Sequence, residues 1–213
     1  MFSSARIRNM ASKDELTKQE INGNEETKND SNNDDAEEWE LYYWQGMGGK
    51  GTVIRMCLEL CGLKWRESLE GKDASKDGTH IKGTDIKGYP NFAYPIVKYK
   101  DIVISQTAIV CQYILNENGF KCDNKLDEYH SMQVALTVWD AWDEWAFKKN
   151  KTLGFDKWIT NRIGSFLDVL QAQLQRNNDG KGYFFGDKIC IADIFVCDLM
   201  RRYRHSKKQH YQQ

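Results

Sequence analysis

Hydrophobic and polar positions divide the chain into contrasting stretches. Residues 1–38 are almost wholly polar, rich in Asn, Asp, Glu and Lys. Such a stretch cannot bury enough apolar surface to offset the entropy of ordering it, so it is read as a disordered acidic tail, with order expected from about Trp39. Glu40–Trp44 is apolar and aromatic, a short strand. A glycine-rich turn follows, containing Gly46, Gly48, Gly49 and Gly51. Thr52–Cys61 then takes up a helical period, with Val53, Met56, Cys57, Leu60 and Cys61 on one face, and Gly62 supplies a C-terminal stop. Leu63–Leu69 predicts a second strand. Residues 70–90, rich in glycine and charge, predict a loop with at most one short helix. Strands follow near Ile96–Lys98 and Ile102–Ser105, then a helix from Gln106 to Asn116. The order βαβ, loop, ββα predicts an α/β unit over residues 39–120.

The second half changes period. Leu126–Lys148 and Trp158–Arg176 both read as helices, the latter with Ile159, Ile163, Phe166, Leu167, Leu170 and Leu174 on one stripe. The glycine-containing run from Asp179 to Gly182 ends it. A last helix is expected from Ile191 to about Arg204. Only Tyr183–Phe185 carries a β signal. Residues 121–204 therefore predict an all-α domain, and residues 205–213 a basic tail.

Composition sharpens this picture. Of 213 residues, 40% are hydrophobic, enough for a core, and no run reaches the length of a membrane span. The formal charge of −1 hides an asymmetry: residues 14–40 carry 11 acids against Lys18 and Lys28 alone. The rest of the chain is mildly basic, ending in RRYRHSKKQHYQQ, which is read as a solvated terminus and not a nucleic-acid site. The six cysteines show no secretory or metal-binding spacing, so reduced thiols and a cytoplasmic location are expected. The first 13 residues, basic and free of acids, give a mitochondrial transit peptide as the lesser alternative.

The candidate chemistry centres on Asn91–Ile114, NFAYPIVKYKDIVISQTAIVCQYI. Pro95 stands inside an expected strand, where it removes a ladder hydrogen bond. Gln106 and Thr107 stand at a helix start, where free backbone N–H groups make a seat for a carboxylate.

Three motifs in order carry a resemblance. LYYWQGMGGKGTVIR (41–55), the proline turn and Gln-Thr helix start within 92–113, and GYFFGDKICIADIFVCDL (182–199) resemble the cytosolic glutathione transferase family. The subgroup they resemble is a tyrosine-using one with a Tyr-Trp start. The similarity spans about residues 39–204. It implies a thioredoxin-like domain with a mixed sheet, then an all-α domain. It implies glutathione as co-substrate and no cofactor or metal. Partners would be a hydrophobic electrophile and a second copy in a homodimer, with no nucleic acid and no membrane. Thiolate attack on the electrophile is the implied reaction. A glutathione-dependent peroxidase or isomerase, or a non-catalytic interaction module of the same fold, are the alternatives.

The resemblance also assigns roles. Tyr94–Pro95 is implied to be cis, with the Tyr94 backbone pairing with glutathione. Gln106 and Thr107 would bind the γ-glutamyl carboxylate. Tyr43 would donate to the sulfur, with Tyr42 as competitor on the opposite strand face. Lys50 would support the thiolate or a carboxylate, and Trp65 the glycine end. Asp193 would be structural, reaching back to the cap of the last helix. Trp139, Trp142 and Trp145 are core or pocket residues. The chain departs from the family at Gln45, Thr52, Ala93 and Cys190, whose thiol predicts a weaker cap than Ser or Thr. Relatives continue past the last signature helix, so a shortened helical domain with an open electrophile pocket is expected.

Overall fold

The computed structural model describes residues 38–69, 91–150 and 162–210. The expected acidic tail, the 70–90 loop and the start of the 158–176 helix lie largely outside these residues.

Strand β1 (Trp39–Trp44) alternates as its sequence demands. Trp39, Leu41 and Tyr43 are buried on one face, and Glu40, Tyr42 and Trp44 are half-buried on the other. Helix α1 (Lys50–Leu60) buries Gly51, Val53, Ile54, Cys57 and Leu58. The buried stripe is rotated slightly from the expected one, leaving Met56 and Leu60 half-buried. Its end is a Schellman motif: Gly62 has φ +64°, its N–H bonds Glu59 O at 3.1 Å, and Leu63 N–H bonds Leu58 O at 3.1 Å. Strands β2 (Trp65–Leu69), β3 (Ile96–Tyr99) and β4 (Ile102–Ser105) complete a sheet of order β2-β1-β3-β4. The β1–β2 pair is parallel, the crossover being α1; the other pairs are antiparallel. Pro95 stands just before β3 and not inside it, so it breaks no ladder bond. Helix α2 spans Thr107–Glu117.

Helices α3 (Lys125–Asn150), α4 (Ile163–Gln175) and α5 (Ile191–His210) form the second half. Asn124 caps α3 by accepting Asp127 N–H at 2.9 Å. Tyr183–Phe185 is irregular and forms no strand. One core runs from Leu41 on β1 through Ile54, Leu58, Val110 and Ile114 to Val134, Ala141, Phe195 and Leu199 on the later helices. Each Val, Leu, Ile or Phe side chain among them contributes roughly 1.5–3 kcal/mol when fully buried. All six cysteines are free thiols.

Candidate active site

Strand register gathers the candidates. Tyr42 pairs with Ile96, and Ile96 with Ser105. Tyr43 follows Tyr42, Pro95 precedes Ile96 and Gln106 follows Ser105, so the three lie at the same end of the sheet. The starts of α1 and α2 lie at this same end. Two helix N-termini therefore converge where β1, β3 and β4 meet, which favours negative charge there. The Tyr94–Pro95 peptide is cis, as the resemblance implies.

Tyr43 is 6% exposed and locked into the turn that opens α1. Its hydroxyl oxygen accepts the Lys50 backbone N–H at 3.2 Å. Gly49 makes this approach possible. Its φ of +77° suits only glycine, and a Cβ there would stand 3.0 Å from Tyr43 Oη. Burial pushes the Tyr43 hydroxyl above its ordinary value, while the Lys50 and Gly51 N–H groups and the Arg55 and Arg202 charges pull it down. The net rise keeps Tyr43 protonated at neutral pH, so it can accept from the backbone and still donate outward. Tyr42 is otherwise engaged. It donates to Glu40 Oε2 at 2.9 Å, and burial and that bond push it up to about 12.

Gln106 is the N-cap of α2, exposed, with φ +69° and ψ +107° and no side-chain cap bond. A non-glycine residue in this region is strained, and such strain clusters at ligand-binding positions. Its carbonyl accepts Val110 N–H at 2.9 Å, so the helix is properly begun. The side-chain amide remains uncommitted to the cap. Thr107 is buried beside it. Trp44 stands edge-on between Tyr43 and Tyr94, with centroids at 5.0 and 5.9 Å.

The helical half closes over the α1 turn. Lys50 Nζ lies 5.2 Å from the Trp139 ring centre, so its cation faces an aromatic wall. Trp139 and Trp142 stack at 5.0 Å, and Trp142 Cζ2 lies 3.9 Å from where a Gly49 Cβ would be. Both tryptophans are partly buried, serving as packing and as wall.

Trp65 is not brought to this cluster. Parallel pairing sets it opposite Trp39, four residues or roughly 13 Å back along the strand, and its indole donates to Glu59 at 2.8 Å. Asp193 stands in the first turn of α5, accepting Cys190 N–H at 2.9 Å and Phe184 N–H at 3.0 Å. Cys190 does not act as the weak acceptor expected of it. Its thiol donates to Asp193 Oδ2 at 3.2 Å; a hydrogen bond with Cys122, burial and the Asp193 charge all keep it protonated.

Two arginines escaped the sequence reading. Arg55 bonds Met47 O at 2.7 Å, Trp44 O at 3.1 Å and Glu67 at 2.6 Å, bracing the loop after Tyr43. Its only signal was a charge set beside the buried Ile54 of α1. Arg202 reaches Gly49 O at 2.9 Å across 153 positions, which no local pattern reveals. Among the described residues no group of three or more His, Cys, Asp or Glu is arranged to hold a metal ion.

A family model described as glutathione S-transferase, C-terminal domain, matches residues 138–212. A solved Caenorhabditis elegans glutathione S-transferase matches with TM-score 0.65, covering 80% of this chain and 84% of its own, at 18% identity. This is the glutathione S-transferase fold. The Onchocerca volvulus Pi-class glutathione S-transferase has the same TM-score at 17% identity, over 78% of this chain and 77% of its own. Among relatives by sequence, the Plasmodium falciparum glutathione S-transferase is 24% identical over 165 residues, 75% of this chain and 77% of that protein. Glutathione S-transferase P 1 of Xenopus laevis is 26% identical over 163 residues, 72% of this chain and 71% of its own. In this fold the sheet with α1 and α2 is the thioredoxin-like part, and α3–α5 belong to the all-α part.

Proposed function

We propose that the chain is a glutathione transferase, joining the sulfur of glutathione to a hydrophobic electrophile. The observation that carries this reading is the convergence of Tyr43, the Tyr94–Pro95 peptide, Gln106 and Thr107 at one end of the sheet, beside two helix starts. The γ-glutamyl carboxylate would sit at the start of α2, bound by Gln106, Thr107 and backbone N–H groups. The cysteinyl backbone would pair with Tyr94 as an added strand. The thiol then lies against Tyr43. A free thiol of pKa about 8.5 is mostly protonated at neutral pH. Donation from Tyr43 O–H stabilises the anion, and the thiol proton passes to solvent. The sulfur lone pair forms the C–S bond, and the leaving group departs with its electron pair, or an activated double bond takes up a proton. Glutathione is the co-substrate and no cofactor enters.

Dimer formation is the second part of the reading. Leu126, Tyr129 and Leu136 are exposed on α3 by 60%, 63% and 49%, with spacings of three and seven that place them on one stripe. A second copy covering that stripe accounts for its exposure. No helix among the described residues is long and apolar enough to cross a membrane, which suits a cytoplasmic enzyme.

Retention on immobilised glutathione, followed by conjugation of a dinitrophenyl halide by the eluted protein, tests the assignment. Retention with turnover is expected. Failure to bind at millimolar glutathione would overturn it, and binding without turnover would favour the non-catalytic module.

A further inference from the structure

Asp198 is 6% exposed on α5 and anchors two arginines. Arg201 binds its Oδ1 through Nε at 3.1 Å and Nη2 at 2.7 Å. Arg202 binds Oδ2 through Nε at 2.5 Å. Only Arg202 continues onward, with Nη2 donating to Gly49 O at 2.9 Å and its guanidinium carbon 5.4 Å from the Trp142 ring centre.

The Gly49 carbonyl and the Lys50 N–H are two ends of one peptide group. Arg202 donates into the first, and the second donates to Tyr43 Oη at 3.2 Å. Donation into a carbonyl polarises its amide, and bonds in such a chain strengthen one another. Gly49 O already accepts Thr52 N–H at 3.2 Å, so Arg202 is not needed merely to satisfy it. A cation is also disfavoured at a helix N-terminus, and α1 begins here. The arrangement is held because buried Asp198 pins the guanidinium in place.

We propose that Arg202 is a positioning residue that strengthens hydrogen-bond donation to Tyr43 through the Gly49–Lys50 peptide, and so sets how readily a bound thiol ionises. This rests on the role of Tyr43 given above. The charge of Arg202 also favours the ionised form of Tyr43 directly.

The test compares Arg202→Met with Arg201→Met. Each removes one arm of the Asp198 pair and leaves the other, so neither strands a buried charge. Only Arg202→Met cuts the path to Tyr43. In the ligand-free protein, the Lys50 amide proton resonance should move upfield in Arg202→Met, stay in place in Arg201→Met, and return part-way in Arg202→Lys. With glutathione bound, the thiolate ultraviolet absorbance should titrate about 0.5–1 pH unit higher in Arg202→Met, giving 3- to 10-fold less thiolate below the midpoint. Turnover should fall by the same factor with glutathione affinity unchanged. Equal amide shifts in the two methionine variants overturn the relay, as does a thiol titration that does not move. An amide that moves as expected in a protein that never binds glutathione upholds the relay to Tyr43, overturns its effect on a bound thiol, and refutes the transferase reading.

Discussion

Gly51→Ala tests whether Tyr43 is wedged against α1. A methyl at position 51 would stand 2.5 Å from Tyr43 Cδ1 and 3.0 Å from both Tyr43 Cε1 and Arg55 Nη1. Comfortable carbon–carbon contact is about 3.5–4.0 Å, so the ring or the helix must give by roughly 1 Å. The ring has little freedom, with Trp44 on one side at 5.0 Å and Arg55 over it at 5.7 Å. Overpacking of this kind costs about 1–3 kcal/mol, and the better helix propensity of alanine returns up to about 1 kcal/mol. A net loss of about 1–2 kcal/mol is expected. A reacting group displaced by about 1 Å costs on the order of 100-fold in rate. The matched control is Gly164→Ala in α4, where an added Cβ meets no heavy atom within 4 Å. It should gain about 0.5–1 kcal/mol. Urea unfolding at constant m-value reads the stabilities, and conjugation of a dinitrophenyl halide reads the rate. A Gly51→Ala protein as stable as the parent, with parental turnover, refutes the packing argument and the placement of Tyr43 with it.

Tyr43→Phe removes a hydrogen bond to a charged sulfur, worth about 1.5–3 kcal/mol, so turnover should fall roughly 10- to 150-fold with glutathione affinity retained in calorimetry; equal turnover would remove Tyr43 from the chemistry. Asp193→Ala leaves the Phe184 and Cys190 N–H groups without their acceptor and should lower stability by about 2–4 kcal/mol in denaturant titration, whereas a loss under about 1 kcal/mol would mean that water substitutes freely. Glu40 has a lowered pKa: burial alone would raise it, but hydrogen bonds from Tyr42 and Ser68 and the charges of Arg66 and Lys98 outweigh that. Its stabilisation is therefore present above the unfolded carboxylate value of about 4.3 and is lost as pH falls through the lower folded value. Glu40→Gln should flatten the acid limb of the stability curve, and an unchanged limb refutes the assignment.

The elements around the site were legible because their periods are unambiguous. Strand β1 alternates, α1 follows 3.6-residue spacing to Gly62, and the switch from Ser105 to Gln106 marks a helix start that lies within one residue of the observed one. Asp193 was legible as a group three residues past a cap, but its second bond, to Phe184 N nine residues earlier, depends on how an irregular segment folds back. The donor role of Cys190 required knowing that Asp193 and Cys122 both lie beside its sulfur. The resemblance assigned Trp65, on the second strand, to the glycine end of glutathione. Register decided otherwise, because parallel pairing puts the start of β2 at the far end of the sheet. Pro95 was read as a strand residue when it ends the approach to β3. Arg55 and Arg202 act by reaching backbone carbonyls, and a carbonyl has no sequence signature. Their partners emerge only once α1 and α5 are packed.

The unbroken core from β1 to α5 has a thermodynamic consequence. Sheet and helices share one set of buried side chains, so neither half keeps a complete interior when the other opens. Cooperative unfolding then belongs to the whole body and not to its parts. A ligand bound at the starts of α1 and α2 stabilises this body by RT ln(1 + [L]/Kd). That gain appears in every amide that exchanges through global opening. Hydrogen exchange in the middle of α5, where Phe195 and Leu199 point into the shared core, should slow when glutathione is added. Binding at one end of the molecule is then reported by a helix that need not touch the ligand.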